Sequence, residues 1–422
     1  MSLKKLLLML LGSVAAFAAE QMPMQASAPN PVPALVDEAL HKNPDVIAAL
    51  RAWQAAAQVP SQVATLPDPQ VTFQQFAVGS PRPFAGFTTS GFAYAGFGIL
   101  QDIPYPGKLK LRSEAAERDA SAAAQRFESA KRSVVEQVKT AYFQLAYVQQ
   151  TFGILQRDDK LLEQIEKISE ARYRVGRGTQ QDVLKAQLQR TKLLHELAHH
   201  HELMGNAQAQ LKRLLDRPQE SADLMATELT ETALPYSSDE LLAKSRAQNP
   251  DVAGEQEMVQ KQSLQLELAR KDRYPDFSVQ YMWQHTSSKF PDYYMLTVSA
   301  RLPIYRRRKL NPEVTQAVEE LNRSRHEYES RVQQTYFEVK DQLIAIETAE
   351  EVLKIYREGL IPQAMATYRA GLASYEAGNE DFETLLSSFL DTLNFDEEYW
   401  KTLADHETAI ARIERLTGMS IP

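Results

Sequence analysis

The chain carries the same pattern twice, and that repetition limits its possible folds more than any other feature. Asn43-Pro44-Asp45-Val46 returns as Asn249-Pro250-Asp251-Val252, and Leu66-Pro67-Asp68 returns as Tyr274-Pro275-Asp276. Val71-x-Phe73 matches Val279-x-Tyr281, and Ile103-Pro104-Tyr105 matches Leu302-Pro303-Ile304. Thr140-x-Tyr142-Phe143 comes back as Thr335-Tyr336-Phe337, shifted by one place at the Thr, and Tyr173-x-x-Gly176 as Tyr375-x-x-Gly378. The order is kept over about two hundred residues, so one structural unit is used twice and the product is pseudo-symmetric.

Composition narrows the class. The 422 residues are 44% hydrophobic with only 16 Gly, which is not a disordered composition, and a formal net charge of −8 argues against nucleic acid as a partner. Residues 1–19 read as a secretory signal: Lys4-Lys5 start it, Leu6 to Leu11 form an apolar stretch, and Ala16-Phe17-Ala18 is a small-x-small cleavage site. The mature chain is expected to begin near Ala19 or Glu20. There is no cysteine, hence no disulfide and no lipid-modified N-terminal Cys. No later segment approaches the roughly 18 unbroken apolar residues of a membrane-spanning helix. If this chain enters a membrane, it does so with strands.

Each repeat reads as short helix, strand, loop, strand, very long helix, turn, return helix. The first repeat covers residues 20–235, with a short helix over 32–57, strands over 70–78 and 91–101, a long helix over 108–175 and a return helix over 180–215. The second covers 236–422, with a short helix over 238–270, strands over 277–285 and 293–302, a long helix over 309–375 and a return helix over 382–416. Val71 and Phe73 alternate in one strand, and Phe277, Val279, Tyr281 and Trp283 in another. Aromatic-rich strands of about 9–11 residues have the length a membrane barrel needs, although a small soluble sheet fits them too. In the long helices Val134, Val138, Ala141, Leu145, Val148, Phe152 and Leu155 are spaced alternately four and three, as are Val332, Tyr336, Val339, Leu343 and Ile346, the spacing of a coiled-coil seam. A helix over 108–173 runs roughly 100 Å at the standard rise. Gly176 and Gly378 end the long helices. Four strands cannot close a barrel, and open edges are not tolerated in lipid, so membrane strands require several chains to share one barrel.

Taken together, the duplicated Asn-Pro-Asp-Val, the strand exits Gln101 to Lys108 and Leu302-Pro303, the turns Tyr173 to Gly176 and Tyr375 to Gly378, and the segments Asp182-Val183-Leu184 and Phe382 to Leu386 resemble the outer membrane efflux protein (TolC-like) family. The resemblance covers nearly the whole mature chain. It implies a mainly α fold with a small β part: long coiled-coil hairpins and four membrane strands per chain, three chains forming a twelve-stranded barrel and a periplasmic helical tunnel. It implies a homotrimer in outer membrane lipid, a passive exit for small solutes, fed by a periplasmic adaptor and an inner-membrane pump of the resistance-nodulation-division type. No cofactor is implied. The Pro-x-Pro-Gly-Lys stretch ending at Lys108 looks most like the heavy-metal (cobalt–zinc–cadmium or copper–silver) branch. In the family, two acidic residues after the second turn ring the periplasmic entrance; their places look like Thr384 and Ser387 here, with Glu380, Asp381 and Glu383 beside them and Asp182 past the first turn. These four acids are the entrance candidates, with Arg174 and Arg177 as compensating cations. Tyr173, Gly176, Tyr375 and Gly378 are the helix-turn candidates for adaptor docking.

His195-Glu196-Leu197-Ala198-His199 fits the zinc-protease pattern, in which two imidazoles one turn apart hold a metal and the glutamate activates water. It lies inside a long helix beside the heptad stripe, without a third ligand or a cleft, and the second repeat lacks it. His195 and His199 are therefore weak metal candidates and catalysis is not expected. Arg306-Arg307-Arg308-Lys309, at the exit of a strand, reads as a solvated charge run at the junction of sheet and tunnel rather than a nucleic-acid patch. The main alternative to a channel is a periplasmic coiled-coil adaptor or scaffold, which explains the helices but not the duplicated strand pairs; a zinc metallopeptidase is the remoter one.

Overall fold

In the computed structural model the described residues are 31–286 and 289–421, so the signal segment lies outside them. Three helices open the first repeat: α1 (Val32–Lys42), α2 (Pro44–Ala56) and α3 (Val59–Ala64). Strands β1 (Gln70–Phe76) and β2 (Tyr94–Ile103) lead into α4 (Lys108–Arg174), a 67-residue helix, and the return helix α5 (Gln180–Leu214). The second repeat follows with α6 (Ser238–Gln248), α7 (Pro250–Lys271), β3 (Asp276–His285), β4 (Tyr293–Arg301), α8 (Asn311–Ile355), α9 (Ile361–Ala377) and the return helix α10 (Phe382–Thr417).

Two sequence expectations need correction. The single short helix of each repeat is split at the Asn-Pro pair. Asn43 accepts from the Asp45 and Val46 N–H groups at 2.9 and 3.4 Å, and Asn249 from those of Asp251 and Val252 at 2.9 and 3.3 Å. Each Asn is an N-cap followed by Pro at the first helical position, a combination that starts a helix and stops the preceding one. The second long helix is not one continuous α-helix over 309–375. A π-helical turn precedes α8 at Arg306–Leu310, and another at Tyr356–Leu360 separates α8 from α9. Pro362 explains the second: its missing N–H and its ring conflict with the ordinary i−4 ladder, and the wider turn lets the Ile361 N–H reach the Tyr356 carbonyl instead.

The four strands form one antiparallel sheet in the order β1-β2-β3-β4. The middle contact joins the repeats, with Phe97 opposite Trp283 and Ile99 opposite Tyr281. Residues directly opposite share a face, so the register sorts side chains cleanly. One face carries rows such as Phe73, Phe97, Trp283 and Tyr294, or Val71, Ile99, Tyr281 and Leu296. The other carries Gln74, Gly96, Gln284 and Tyr293, or Thr72, Gly98, Met282 and Met295.

The heptad positions do pack. Val138, Leu145, Val148 and Leu155 of α4 and Val339, Ile346 and Leu353 of α8 are buried; Leu193, Leu211 and Leu214 of α5 close on α4, and Leu403, Ile410 and Ile413 of α10 close on α8. The core is a string of clusters rather than one globule. Leu35, Val138, Leu145 and Leu211 form one, Val339, Ile346, Ile410 and Ile413 another, and Leu162, Ile165, Tyr375 and Phe389 a third near the helix turns. The duplicated Asn ties each repeat together. Asn43 Nδ2 donates to the Leu214 carbonyl at 2.9 Å, and Asn249 Nδ2 to the Leu416 carbonyl at 3.2 Å, so the start of each repeat is fastened to the end of its own return helix.

Candidate functional site

Two regions carry the functional geometry: the sheet at one end of the helices and the paired turns at the other. On the sheet, the apolar face is open. Val71 is 74% exposed and Leu296 68%, and Phe73, Phe97 and Tyr294 are exposed beside them. Such a contiguous apolar face needs a cover, and the opposite face, built mainly of Gln, Thr, Ser and Gly with Phe76, Tyr94, Met282, Met295 and Tyr293 among them, is the more polar one and suits water. Neither the outer edge of β1 nor that of β4 has a strand on it among the described residues.

At the far end, both long helices stop in the same way. The Arg177 N–H donates to the Arg172 carbonyl at 2.8 Å and the Gly176 N–H to that of Tyr173 at 3.0 Å. The Asn379 N–H donates to the Ser374 carbonyl at 2.9 Å and the Gly378 N–H to that of Tyr375 at 3.1 Å. These are Schellman closures, with Gly176 at φ +70° and Gly378 at φ +86°, a left-handed conformation that favours glycine.

The entrance candidates fall just past these closures. Asp182 forms a capping box with Thr179: its carboxylate accepts from the Thr179 N–H at 3.1 Å, and its own N–H donates to Thr179 Oγ1 at 3.2 Å. Asp381 is the N-cap of α10, accepting from the Thr384 N–H at 2.8 Å, and that bond holds its carboxyl below the usual carboxylate range. Glu383 is 79% exposed and accepts from Lys185 Nζ of the other hairpin at 2.7 Å. Glu380 Oε2 lies close to Gly371. Two of the four acids therefore cap helices, one bridges the hairpins, and all sit at one end.

The two tyrosines differ. Tyr173 is 48% exposed, whereas Tyr375 is 1% exposed and donates to Ser169 Oγ at 3.2 Å. The Tyr375 ring lies against Phe382 at 5.9 Å, and the Arg172 guanidinium lies over it, 4.2 Å from its centroid. Arg172 Nη2 also donates to the Arg177 carbonyl at 3.1 Å. Sequence reasoning missed Arg172, and Lys185 as well. The expected compensating cation Arg174 instead pairs with Glu170 one turn back at 3.2 Å. Deeper in the same bundle Asp158 is 1% exposed; burial pushes its carboxyl up, against the hydrogen bond from Arg157 at 2.8 Å.

The other sequence candidates scatter. His195 and His199 lie on the exposed side of α5, His199 nearest to Glu202 at 3.9 Å, while His200 is buried and bonded to the Glu196 carbonyl. No group of three or more His, Asp or Glu is placed to hold a metal among the described residues. Lys108, the last residue of the Pro-x-Pro-Gly-Lys stretch, is 2% exposed, with its ammonium 3.0 Å from Asp272 and 2.9 Å from Asp276. That stretch thus has a structural task at the junction of sheet and helices.

An amphipathic sheet mounted on helices of this length, open at both sheet edges, defines a channel subunit of an outer membrane. The match to known proteins agrees: the model of the outer membrane efflux protein family covers residues 35–217 and 241–418, one block per repeat, and the chain belongs to that family. No curated protein sequence matches it. Among solved structures it is similar to the outer-membrane channel OprN at 18% identity and TM-score 0.80, covering 92% of this chain and 90% of that one. It is similar to VceC of Vibrio cholerae at 16% identity and TM-score 0.79, covering 93% and 97%. The open state of MtrE from Neisseria gonorrhoeae aligns at 18% identity and TM-score 0.75, covering 92% and 88%. At these identities the likenesses establish the fold. The chain is an outer-membrane efflux channel, and the adaptor alternative is not favoured.

Proposed function

We propose that three copies of this chain form the exit duct of a tripartite export assembly, passively conducting small solutes, heavy-metal cations or drugs among them. A periplasmic adaptor docks at the turns carrying Tyr173, Gly176, Tyr375 and Gly378, and an inner-membrane pump of the resistance-nodulation-division type supplies the energy. The observation that carries this reading is the sheet: one exposed apolar face, one polar face and two bare edges. Lipid covers the first, water fills the space behind the second, and neighbouring copies satisfy the edges. Light scattering in detergent, corrected for bound detergent, is expected to give three chains; a folded monomer in the membrane would sink the architecture.

The acids at the turns form the periplasmic entrance. In a ring of three chains, Asp182, Glu380, Asp381 and Glu383 are each repeated around a narrow opening, and like charges brought together there focus the potential and draw cations. Capping and gating are compatible, because a capping carboxylate keeps its charge. They separate in Asp381→Ser combined with Glu383→Gln, which preserves an N-cap while removing two charges per chain. Cation selectivity in planar bilayers should fall while the trimer stays intact. Wild-type selectivity in an intact trimer would remove these two acids from the constriction.

A further inference from the structure

The chain already contains one finished copy of the contact that its bare edges lack. Where β2 leaves the sheet and β3 enters it, Ile103 lies opposite Phe277 and Gln101 opposite Val279. Just beyond, Asp276 Oδ1 accepts from the Tyr105 N–H at 2.8 Å and from Lys108 Nζ at 2.9 Å, and the Tyr105 ring stacks on Tyr274 at 4.6 Å. The exit of the first repeat is thereby clamped to the entry of the second. The reciprocal exit and entry, after β4 and before β1, are vacant. Ile304 is 70% exposed and Leu66 45%; Asp68 and Arg307 are exposed as well, and neither forms an ion pair among the described residues.

The duplication equates these positions. Ile103-Pro104-Tyr105 corresponds to Leu302-Pro303-Ile304, and Tyr274-Pro275-Asp276 to Leu66-Pro67-Asp68. Carried forward at the same spacing, Lys108 falls on Arg307 and the buried Leu111 on the buried Leu310.

We infer that β4 of one chain pairs with β1 of the next copy in the register of the internal β2–β3 contact, Ser299 opposite Thr72 and Val298 opposite Phe73, with Arg307 clamped on Asp68 and Ile304 on Leu66. The inference rests on the assembly proposed above and specifies its seam. Two independent features agree with it. Side-chain parity is right: Val298 and Phe73 both belong to the apolar face, and Ser299 and Thr72 to the polar one, whereas a slip by one residue would set Val298 against Thr72. The helices ask for the same neighbour. Within the chain α10 packs on α4, and the equivalent contact across the seam places α5 of the next copy against α8 and α9 of the first. Leu184 and Leu188 of α5 and Ile344 and Ile355 of α8 are exposed in the single chain. The seam clamp is simpler than its internal model, because Ala64 stands where Asp272 does, leaving one carboxylate for one guanidinium. The run Arg306 to Lys309 thus gains a specific member.

The chain has no cysteine, so introduced pairs report cleanly. Directly opposed residues in an antiparallel pair are about 4.5–5.5 Å apart, within disulfide range, while pairs displaced by two lie about 7–8 Å apart. Thr72→Cys with Ser299→Cys should therefore oxidise to a covalent trimer. Thr72→Cys with Thr297→Cys, or with Arg301→Cys, should cross-link at least about fivefold less. In a second arm, Asp68→Arg should lower the temperature at which the trimer dissociates in detergent, and Asp68→Arg with Arg307→Asp should recover most of that loss. A displaced pair that cross-links better, an intact trimer in which no pair cross-links, or a swap without recovery overturns the seam. A monomeric wild type in light scattering is a different result, and overturns the assembly itself.

Discussion

Replacing Asn43 by Ala tests why the motif around it is duplicated. Asn43 is 1% exposed and its side chain makes three hydrogen bonds. Two cap α2 through Oδ1, and one runs from Nδ2 to the Leu214 carbonyl across 171 residues of sequence. Loss of an N-cap costs about 1 kcal/mol. Loss of a buried donor that leaves a carbonyl unanswered costs about 1–2 kcal/mol more. The sum is about 2–3 kcal/mol, which for a chain of this size is about 2–4 °C in thermal midpoint. Asn43→Asp separates the terms: it keeps the cap, but replaces the Nδ2 donor with a carboxylate oxygen facing a carbonyl, and should recover less than half of the loss. Asn249→Ala should behave alike through Leu416, and the double variant should be additive because the sites share no partner. Thermal unfolding of the detergent-solubilised protein, followed by circular dichroism, measures all four variants. A midpoint within 1 °C of wild type for Asn43→Ala, or an Asn43→Asp protein as stable as wild type, would show that the pair is not a fastening.

Three further outcomes are expected. Lys108→Ala removes the buried cation shared by Asp272 and Asp276, which are themselves partly exposed, and should cost about 2 kcal/mol, seen as reduced yield of folded protein and a lower thermal midpoint. His406 is fully buried; burial pushes its imidazole down, but the Glu407 hydrogen bond at 3.0 Å and the charges of Glu407, Glu350 and Glu231 outweigh it and raise it overall. Its contribution to stability is thus complete below its unfolded value of about 6.5 and lost as pH rises through the higher folded value, so the midpoint should drop as pH rises above about 6.5, and His406→Gln should flatten that drop. Glu196→Gln should leave export unchanged in a strain lacking the native channel, because Glu196 lies on the exposed side of α5; near-complete loss at normal protein levels would reopen the metal reading of His195 and His199.

The periodic parts of this fold were legible because burial is periodic. Heptad spacing placed Val138, Leu145 and Leu155 in the α4 seam, and alternation grouped Val71 with Phe73 in one strand and Val279 with Tyr281 in another, since each pattern leaves a whole element only one way to face its core. Gly176 and Gly378 were legible because a left-handed closure favours that residue. What stayed hidden depends on contacts between distant segments. The repeated Asn-Pro could be seen as an anchor, yet not as a break with a long-range bond to Leu214 or Leu416. Arg172 was one arginine among several near the turn; only the packing of the two hairpins lays it on Tyr375. The π-helical turn before Ile361 was also missed, since a proline in a helical pattern signals disruption without saying whether the helix bends, ends or widens.

The two bare sheet edges have a consequence for how a cell must handle the newly made chain. Joining two copies head to tail consumes one edge from each and leaves the pair as exposed as a single chain, so the intermediate gains no protection. Only the last contact of a ring forms without recruiting another molecule, and it removes the final pair of edges at once. Ring formation is therefore steeply all-or-none, with single chains and complete rings outnumbering anything between. The same chemistry has a hazardous branch: away from lipid, where nothing imposes the curvature of a ring, addition can continue as an open ribbon. Safe delivery then depends on keeping unfinished chains dilute and escorted until three meet at the membrane.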